Sequence, residues 1–371
     1  MFNCLYHIGF SYCLGIGPMK FQGLKSHFGD VKKAYLANKK ELESVLGFKL
    51  AEKFIEFRQK FDPKKELEKL QKDRIKVLTV DDEDYPESLK NISDSPICIY
   101  VKSSAPKFFN GKQQAVKNLV PSLYFAIVGT RNPTNYGIQV ARKFSYELAK
   151  AGFIIVSGLA YGVDTIAHQS CLDAGGRTIA VLGCGVNVVY PAANKRLSEE
   201  IIQTGGAIIS EFPPNQYVLK GLFISRNRII SGLSRGILIA EGGEFSGSLI
   251  TAKFAGIQGK DVFAVPSPIN SDMSRAPNLL IKQGAKMVTT VEDIYDEFDM
   301  KITPRKKEDI KKNLNEVEKS VFDILSKNPL TVDDLAIELR KSVMEILNLI
   351  SILEIKGVVE KNLEKKYQIK I

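Results

Sequence analysis

Between residues 124 and 298, six short apolar runs, LYFAIVG, GFIIVSG, TIAVLG, GAIIS, GILIAE and DVFAVP, alternate with longer stretches of helical spacing. A run that is apolar throughout has both of its faces covered, unlike the in-and-out alternation of a half-exposed strand. Strands that take turns with helices form a parallel sheet, because parallel neighbours need a crossover long enough to hold a helix. The pattern predicts an α/β, Rossmann-like doubly wound parallel sheet, with helices beginning near Tyr136, Val163, Asn194, Ser225 and Ser248.

Ligands of such sheets bind beyond the carboxyl ends of the strands, so the residues after each run carry the information. They are Gly129-Thr130-Arg131, Ser157-Gly158, Gly183-Cys184-Gly185, Ser210-Glu211-Phe212-Pro213, Glu241-Gly242-Gly243 with Ser246-Gly247-Ser248, and Pro266-Ser267. Glycine lets backbone N–H groups approach a ligand, and helix N-termini add partial positive charge. One such turn merely closes a strand-to-helix connection. Five on one edge point to a phosphate site.

The cations indicate what kind of phosphate. Arg131 follows the first turn, Lys195 and Arg196 follow Tyr190-Pro191, and Arg226 and Arg228 lie in FISRNRIIS. Arginine forks match phosphate and stack on bases. A mononucleotide needs two or three donors, so this larger set favours a strand of nucleic acid across the edge. Phe212, Tyr190 and Phe223 are either stacking platforms for bases or packing residues. Asp164 and His168 are read as a helix-capping and packing pair rather than a catalytic one.

Outside this region, residues 1–72 have helical spacing, and LGIGP resembles the turn of a helix-hairpin-helix, which either offers amides to a phosphate or is only tight. The main domain is expected over 73–298, with KVLTV and CIYV as an extended lead-in and a polar insertion near 103–120. A charged linker over 299–314 precedes a module at 315–371. That module has three helices, the second capped by Thr331 and Asp334, and a terminal hairpin, which is the pattern of a winged helix.

The net charge of +10 and pI near 9.1 suit a polyanionic partner or plain solvation. The five cysteines lack any CxxC pair, and the N-terminus lacks the charge and apolar core of a signal peptide. No run nears the roughly 20 apolar residues that span a bilayer, so a reducing, cytoplasmic location without membrane insertion is expected. GxxxxGK[ST] is absent, and no HExxH, GxSxG serine elbow or pair of metal-binding carboxylates appears in a convincing context, so no catalytic group, metal or cofactor is expected.

The runs AIVGTRNPTNYG, VSGLAYGVDTIAHQ, TIAVLGCGVNVVYPAANKRL, SEFPP, FISRNRIISGLSRGILIAEGGEFSGSLITAKFA and VFAVPSPI, in this order, resemble the DprA/Smf family. LGIGP, DYPESLKNISDSPICIYVK and the final module also resemble it, so the likeness covers nearly the whole chain. The resemblance implies an N-terminal helix-hairpin-helix, SAM-like domain and a Rossmann-like domain that binds single-stranded DNA and forms a homodimer. It further implies loading of RecA during natural transformation and recombination. By the same resemblance Arg131 is the DNA-contacting arginine of a G-[ST]-R loop, Lys195 or Arg196 is a second basic contact, and Arg226, Asn227 and Arg228 form an RNR motif. The expected interface comprises Gly129, Thr130, Arg131, Ser157, Gly158, Lys195, Arg196, Phe212, Arg226, Asn227, Arg228, Gly242, Gly243, Ser246, Gly247 and Ser248.

Two departures stand out: the insertion is longer than usual, and Ser267 replaces a common glycine. The third helix of the winged module, SVMEILNLISILEI, is poor in the basic and amide groups that read a groove, which favours a protein contact. The rival from another class is a LOG-like nucleotide phosphoribohydrolase, whose PGGxGTxxE loop Glu241-Gly242-Gly243 to Ser248 partly resembles. Leu249, Ile250 and Thr251 stand where that enzyme needs a glutamate.

Overall fold

The computed structural model describes residues 4–105, 109, 124–300, 311, 314–362 and 366–369. Most of the expected insertion and most of the expected linker lie outside the described residues. The chain divides into two compact units, residues 1–297 and 298–371.

Sheet pairing in the first unit follows the apolar runs. They form β3 (Tyr124–Val128), β4 (Ile154–Ser157), β5 (Thr178–Val181), β6 (Ala207–Ser210), β7 (Gly236–Ile239) and β8 (Asp261–Ala264). Two antiparallel strands, β1 (Lys76–Leu78) and β2 (Ile99–Lys102), and the short β9 (Lys286–Met287) complete a nine-stranded sheet of order β1-β2-β6-β5-β4-β3-β7-β8-β9. The lead-in is therefore an integral edge of the sheet, fixed by pairs such as Tyr100 with Ser210.

Because strand side chains alternate in direction, each apolar strand feeds two cores. One face carries Ala126, Val128, Val156, Val181 and Ile239. It packs on α7 (Glu87–Lys90), α11 (Lys220–Leu233), α12 (Gly247–Ile257) and α13 (Arg275–Lys282), through residues such as Leu89, Ile230, Ala252 and Leu280. The other face carries Phe125, Ala180 and Ile208, among others, and is covered by α8 (Asn135–Lys150), α9 (Val163–Asp173) and α10 (Lys195–Gln203). Beside them α14 (Glu292–Glu297) stacks Tyr295 on Phe153. Both faces are covered, as the all-apolar runs required.

β3 sits in the middle, flanked by β4 on one side and β7 on the other. The chain winds outward from β3 to β6, then returns through α11 to start β7 on the opposite side. Reversal of winding leaves a crevice at the carboxyl ends of β3, β4 and β7, since the loops there diverge to opposite faces.

The N-terminal helices α1 (Leu5–Tyr12), α2 (Pro18–Phe28), α3 (Val31–Leu36), α4 (Lys39–Leu46), α5 (Phe48–Lys60) and α6 (Pro63–Lys72) have their own aromatic core around Phe10, Phe21, Tyr35 and Phe54. A second cluster of Ile8, Leu70, Ile75, Cys98 and Tyr100 joins them to the β1–β2 edge. Ser11 bonds the Tyr100 hydroxyl at 2.6 Å. In the turn between α1 and α2, Gly15 takes φ +107°, which only glycine adopts readily, and Ile16 is buried.

The second unit holds α15 (Glu316–Leu325), α16 (Val332–Leu339) and α17 (Val343–Ile355), then the antiparallel pair β10 (Val359–Lys361) and β11 (Tyr367–Ile369). It is a winged helix. Thr331 caps α16, accepting from the Asp334 amide at 3.2 Å while Asp334 accepts from the Thr331 amide and hydroxyl.

Candidate nucleic-acid interface

At the crevice predicted by the reversal of winding lies an open cleft of about 1060 Å³. Its walls come from Gly129-Thr130-Arg131 after β3, from α11, and from the Gly243–Ser248 loop that leads into α12.

The first turn is clamped from behind by a residue the sequence reading assigned no role. Glu241, 1% exposed, takes the Thr134 amide at 2.8 Å and the Thr134 hydroxyl at 2.6 Å on its carboxylate. Its carbonyl accepts the Thr130 amide at 2.8 Å. A side chain at Gly129 would stand 2.7 Å from that carbonyl. On the other flank the Val163 amide donates to the Thr130 carbonyl at 3.1 Å. Gly162, at φ +75°, passes so close that a Cβ there would strike the Thr130 and Arg131 backbone. The Arg131 side chain consequently projects from a fixed stem. It is exposed and pairs with no carboxylate among the described residues.

The second turn is organised by Asp164 and Arg226, both nearly inaccessible. The Asp164 carboxylate accepts the amides of Gly158 at 3.1 Å and Ala160 at 3.3 Å. Burial raises its pKa, against the pull of Arg226 and of these donors. The Arg226 guanidinium donates to the Gly158 carbonyl at 2.7 Å and to the Val181 carbonyl, and any side chain at Gly158 would collide with it. Burial brings Arg226 down to about 10, with Asp164 opposing. His168 is buried beside Thr178 at 2.7 Å, and burial followed by the charge of Arg226 lowers it to about 3, so the ring is neutral. Asn194 supports the same loop through the Leu159 carbonyl at 2.9 Å and the Thr165 hydroxyl at 2.8 Å.

The RNR run requires a correction. Its helix starts at Lys220 rather than near Ser225, so Arg226, Asn227 and Arg228 are consecutive helical residues. Neighbours on a helix point about 100° apart, so three in a row span more than half a turn and cannot all face one ligand. Arg226 lines the cleft floor, and Asn227 lines the cleft and reaches the Gly247 carbonyl at 3.4 Å. Arg228 instead turns away, its fork held by Asp94 at 3.1 Å and Glu211 at 2.5 Å. It does not line the cleft, which corrects the expectation of a free phosphate donor there. Burial raises the Glu211 pKa, while Arg228 draws it back.

Other expected contacts divide in the same way. Gly243, Ser246, Gly247 and Ser248 line the cleft, with the hydroxyls of Ser246 and Ser248 2.7 Å apart at the start of α12. Gly242 lies just behind, tied by its amide to the Met273 carbonyl at 2.7 Å. Ser157 is buried and donates to the Ile127 carbonyl at 2.7 Å. Gly158 is likewise buried. Phe212 is half-buried and outside the cleft lining. Lys195 and Arg196 are exposed at the start of α10, outside the cleft lining.

The sequence reading missed Lys220, an exposed cation at the first turn of α11 that lines the cleft. Phe223 lies between the two arginines, with Arg131 5.7 Å and Arg226 6.0 Å from its ring centre, and Tyr190 tilts against it at 5.7 Å. Cation–π contact of this kind orients a guanidinium without neutralising it. No carboxylate stands at the position required by a phosphoribohydrolase, since Ile250 and Thr251 occupy that part of the wall. Among the described residues no cluster suits a metal ion, and no helix is long and apolar enough to cross a membrane.

Comparison with known proteins decides the family. Residues 76–299 match the profile described as DNA recombination-mediator protein A, and residues 305–362 match the DprA winged helix domain. The chain belongs to the DprA/Smf family. It is 39% identical to the protein Smf of Synechocystis over 285 residues, 76% of this chain and 69% of that one. To the DNA processing protein DprA of Bacillus subtilis it is 39% identical over 224 residues, 60% of this chain and 71% of the other. Among solved DprA structures, that from Streptococcus pneumoniae matches with a TM-score of 0.67 and 32% identity, over 79% of this chain and 97% of that chain. DNA processing protein A from Helicobacter pylori, described for its single-stranded DNA binding mode, matches with a TM-score of 0.52 and 30% identity, over 61% of this chain and 95% of its own.

Proposed function

We propose that this protein binds single-stranded DNA along the carboxyl edge of its sheet, with the switch-point cleft holding the backbone and bases. The single observation that carries this reading is the fixed and exposed Arg131 of the cleft lining, which has no carboxylate partner among the described residues and lies beside the Phe223 ring. A positively charged groove with aromatic rings is what sequence-tolerant binding of a single strand requires. Lys220, Asn227 and the amides at the start of α12 supply further phosphate contacts, and Lys195 or Arg196 extends the track beyond Tyr190. Arg226 acts chiefly as a positioning residue, since its Nη1 is committed to the Gly158 and Val181 carbonyls and its Nε to the Asn227 side chain. The Helicobacter pylori relative supports the choice of ligand. As a homodimer joined through the sheet domain, the protein protects the strand in the cytoplasm and loads RecA onto it in transformation and recombination.

The test is fluorescence anisotropy with a labelled oligothymidylate and with a duplex of equal length. The single strand is expected to bind more tightly. Its affinity should fall steeply with salt, at roughly −0.7 in log–log slope for each phosphate neutralised, so that several contacts exceed about −2. A flat salt response would point to a mononucleotide pocket instead. On strands coated with the protein, RecA filaments should assemble faster than on strands covered by single-strand-binding protein alone.

A further inference from the structure

Phe245 is 95% exposed, yet it lies on the wall of the cleft rather than on a featureless surface. Single exposed apolar residues are common and call for no explanation by themselves. Here the loop that carries the ring is pinned on both sides. The Gly242 amide donates to the Met273 carbonyl at 2.7 Å, the Ala276 amide donates to the Gly242 carbonyl at 2.9 Å, and the Ser246 amide donates to the Gly243 carbonyl at 3.1 Å. Arg275 holds Glu244, the residue immediately before Phe245, at 2.7 Å. The ring is thus presented to solvent from a short, braced loop, so little conformational freedom remains to be lost on binding.

The other aromatic of the cleft is already engaged. Phe223 has Arg131 and Arg226 near its ring and Tyr190 against it, whereas no ring or cation lies against Phe245 among the described residues. A cleft of about 1060 Å³ is far larger than a phosphate and lies at the upper end of ordinary small-molecule sites. It has an apolar part formed by Phe223, Ile224 and Ile230. Phosphate contacts alone would leave this surface unused.

We infer that Phe245 is a stacking platform for one unstacked base of the bound strand, set across the cleft from the arginine that takes the backbone. This rests on the single-stranded DNA reading and gives its site a base-binding part. The ligand class is any nucleobase in a flexible strand, because every base has a stacking face. The Glu241–Ser248 loop then serves two ends: its serines and amides at the start of α12 meet phosphate, and its apex meets the base.

The chain contains no tryptophan, which makes the test direct. Phe245→Trp introduces the sole indole, and Phe245→Ala removes the platform, both in the full chain. With oligothymidylate, Phe245→Ala is expected to weaken binding about tenfold, within the range that base stacking supplies. Phe245→Trp should keep the wild-type affinity, and its emission should be quenched with the same midpoint as the anisotropy. An abasic strand of equal length should bind wild type and Phe245→Ala alike. Wild-type affinity in Phe245→Ala, or unquenched indole emission while anisotropy reports binding, overturns the inference and leaves the DNA reading standing. A changed oligomeric state of Phe245→Ala with unchanged affinity also overturns it, in favour of a protein contact. Failure of the wild-type chain to bind any single strand removes the reading and the inference together.

Discussion

Arg228→Ala is expected to destabilise the first unit by about 3–5 kcal/mol, the usual cost of leaving a buried charge without its partner. The side chain is 5% exposed and holds Glu211, itself 9% exposed, and Asp94. Removing the guanidinium strands the Glu211 carboxylate next to the sheet edge and frees the turn that contains Asp94. Chemical denaturation measures the loss. The effect has a defined pH dependence. Burial already raises the folded-state pKa of Glu211, and loss of Arg228 raises it further. The missing attraction acts only on the ionised carboxylate, so the defect is largest at neutral pH and shrinks as the pH falls through the raised pKa of Glu211. Combining Arg228→Met with Glu211→Gln should recover much of the stability, because no unpaired charge is then buried. Under conditions where Arg228→Ala is folded, affinity for oligothymidylate is expected to stay within about twofold, since a typical hydrogen-bonded contact, worth about 1 kcal/mol, would cost more than that. A tenfold loss in a well-folded variant would restore Arg228 to the interface.

The contrast between Arg228 and Arg131 also marks what a sequence can disclose. Six of the seven parallel strands were legible, because strands covered on both faces read as unbroken apolar runs and the turns after them are rich in glycine, whereas β9 is a two-residue exposed edge strand that leaves no such run. The capping box of α16 was legible because both of its partners lie within one turn. α11 was not placed correctly, because Leu219 stands at its N-cap and offers no side-chain bond, so nothing local marks a start at Lys220. With the helix start placed near Ser225, the three polar residues fell at its N-terminus, next to the ligand edge, instead of in its second and third turns. The partners of Arg228 gave no signal either, since Asp94 and Glu211 come from remote segments that only the folded sheet brings together. Glu241 was visible as the end of a strand, but its clamp on Thr134 depends on the pairing of β3 with β7. The lead-in strands were seen as extended, and their place on the sheet edge follows from long-range pairing alone.

Arg131→Ala is the second large effect, on binding rather than on stability. The backbone of its loop is held by Glu241 and Val163 and not by its own side chain, so the variant should fold as the wild type does. Loss of a charge-assisted phosphate contact is expected to weaken oligothymidylate binding at least tenfold, about 1.4 kcal/mol. The salt slope should fall by roughly 0.7, the share of one phosphate on a single strand. Arg131→Lys should retain part of the affinity, because an ammonium keeps the charge but loses the planar fork and its contact with Phe223. Wild-type affinity in a folded Arg131→Ala variant would remove the mouth of the cleft from the interface.

Amide hydrogen exchange of the full chain, with and without a saturating oligothymidylate, tests the location of the site most directly. The expected result is slowed exchange at Gly129–Arg131, in the first turns of α11 and across Gly242–Ser248, the three segments that wall the switch-point cleft. Protection confined to the α1–α2 turn or to the winged helix, with these three segments unchanged, would contradict the account.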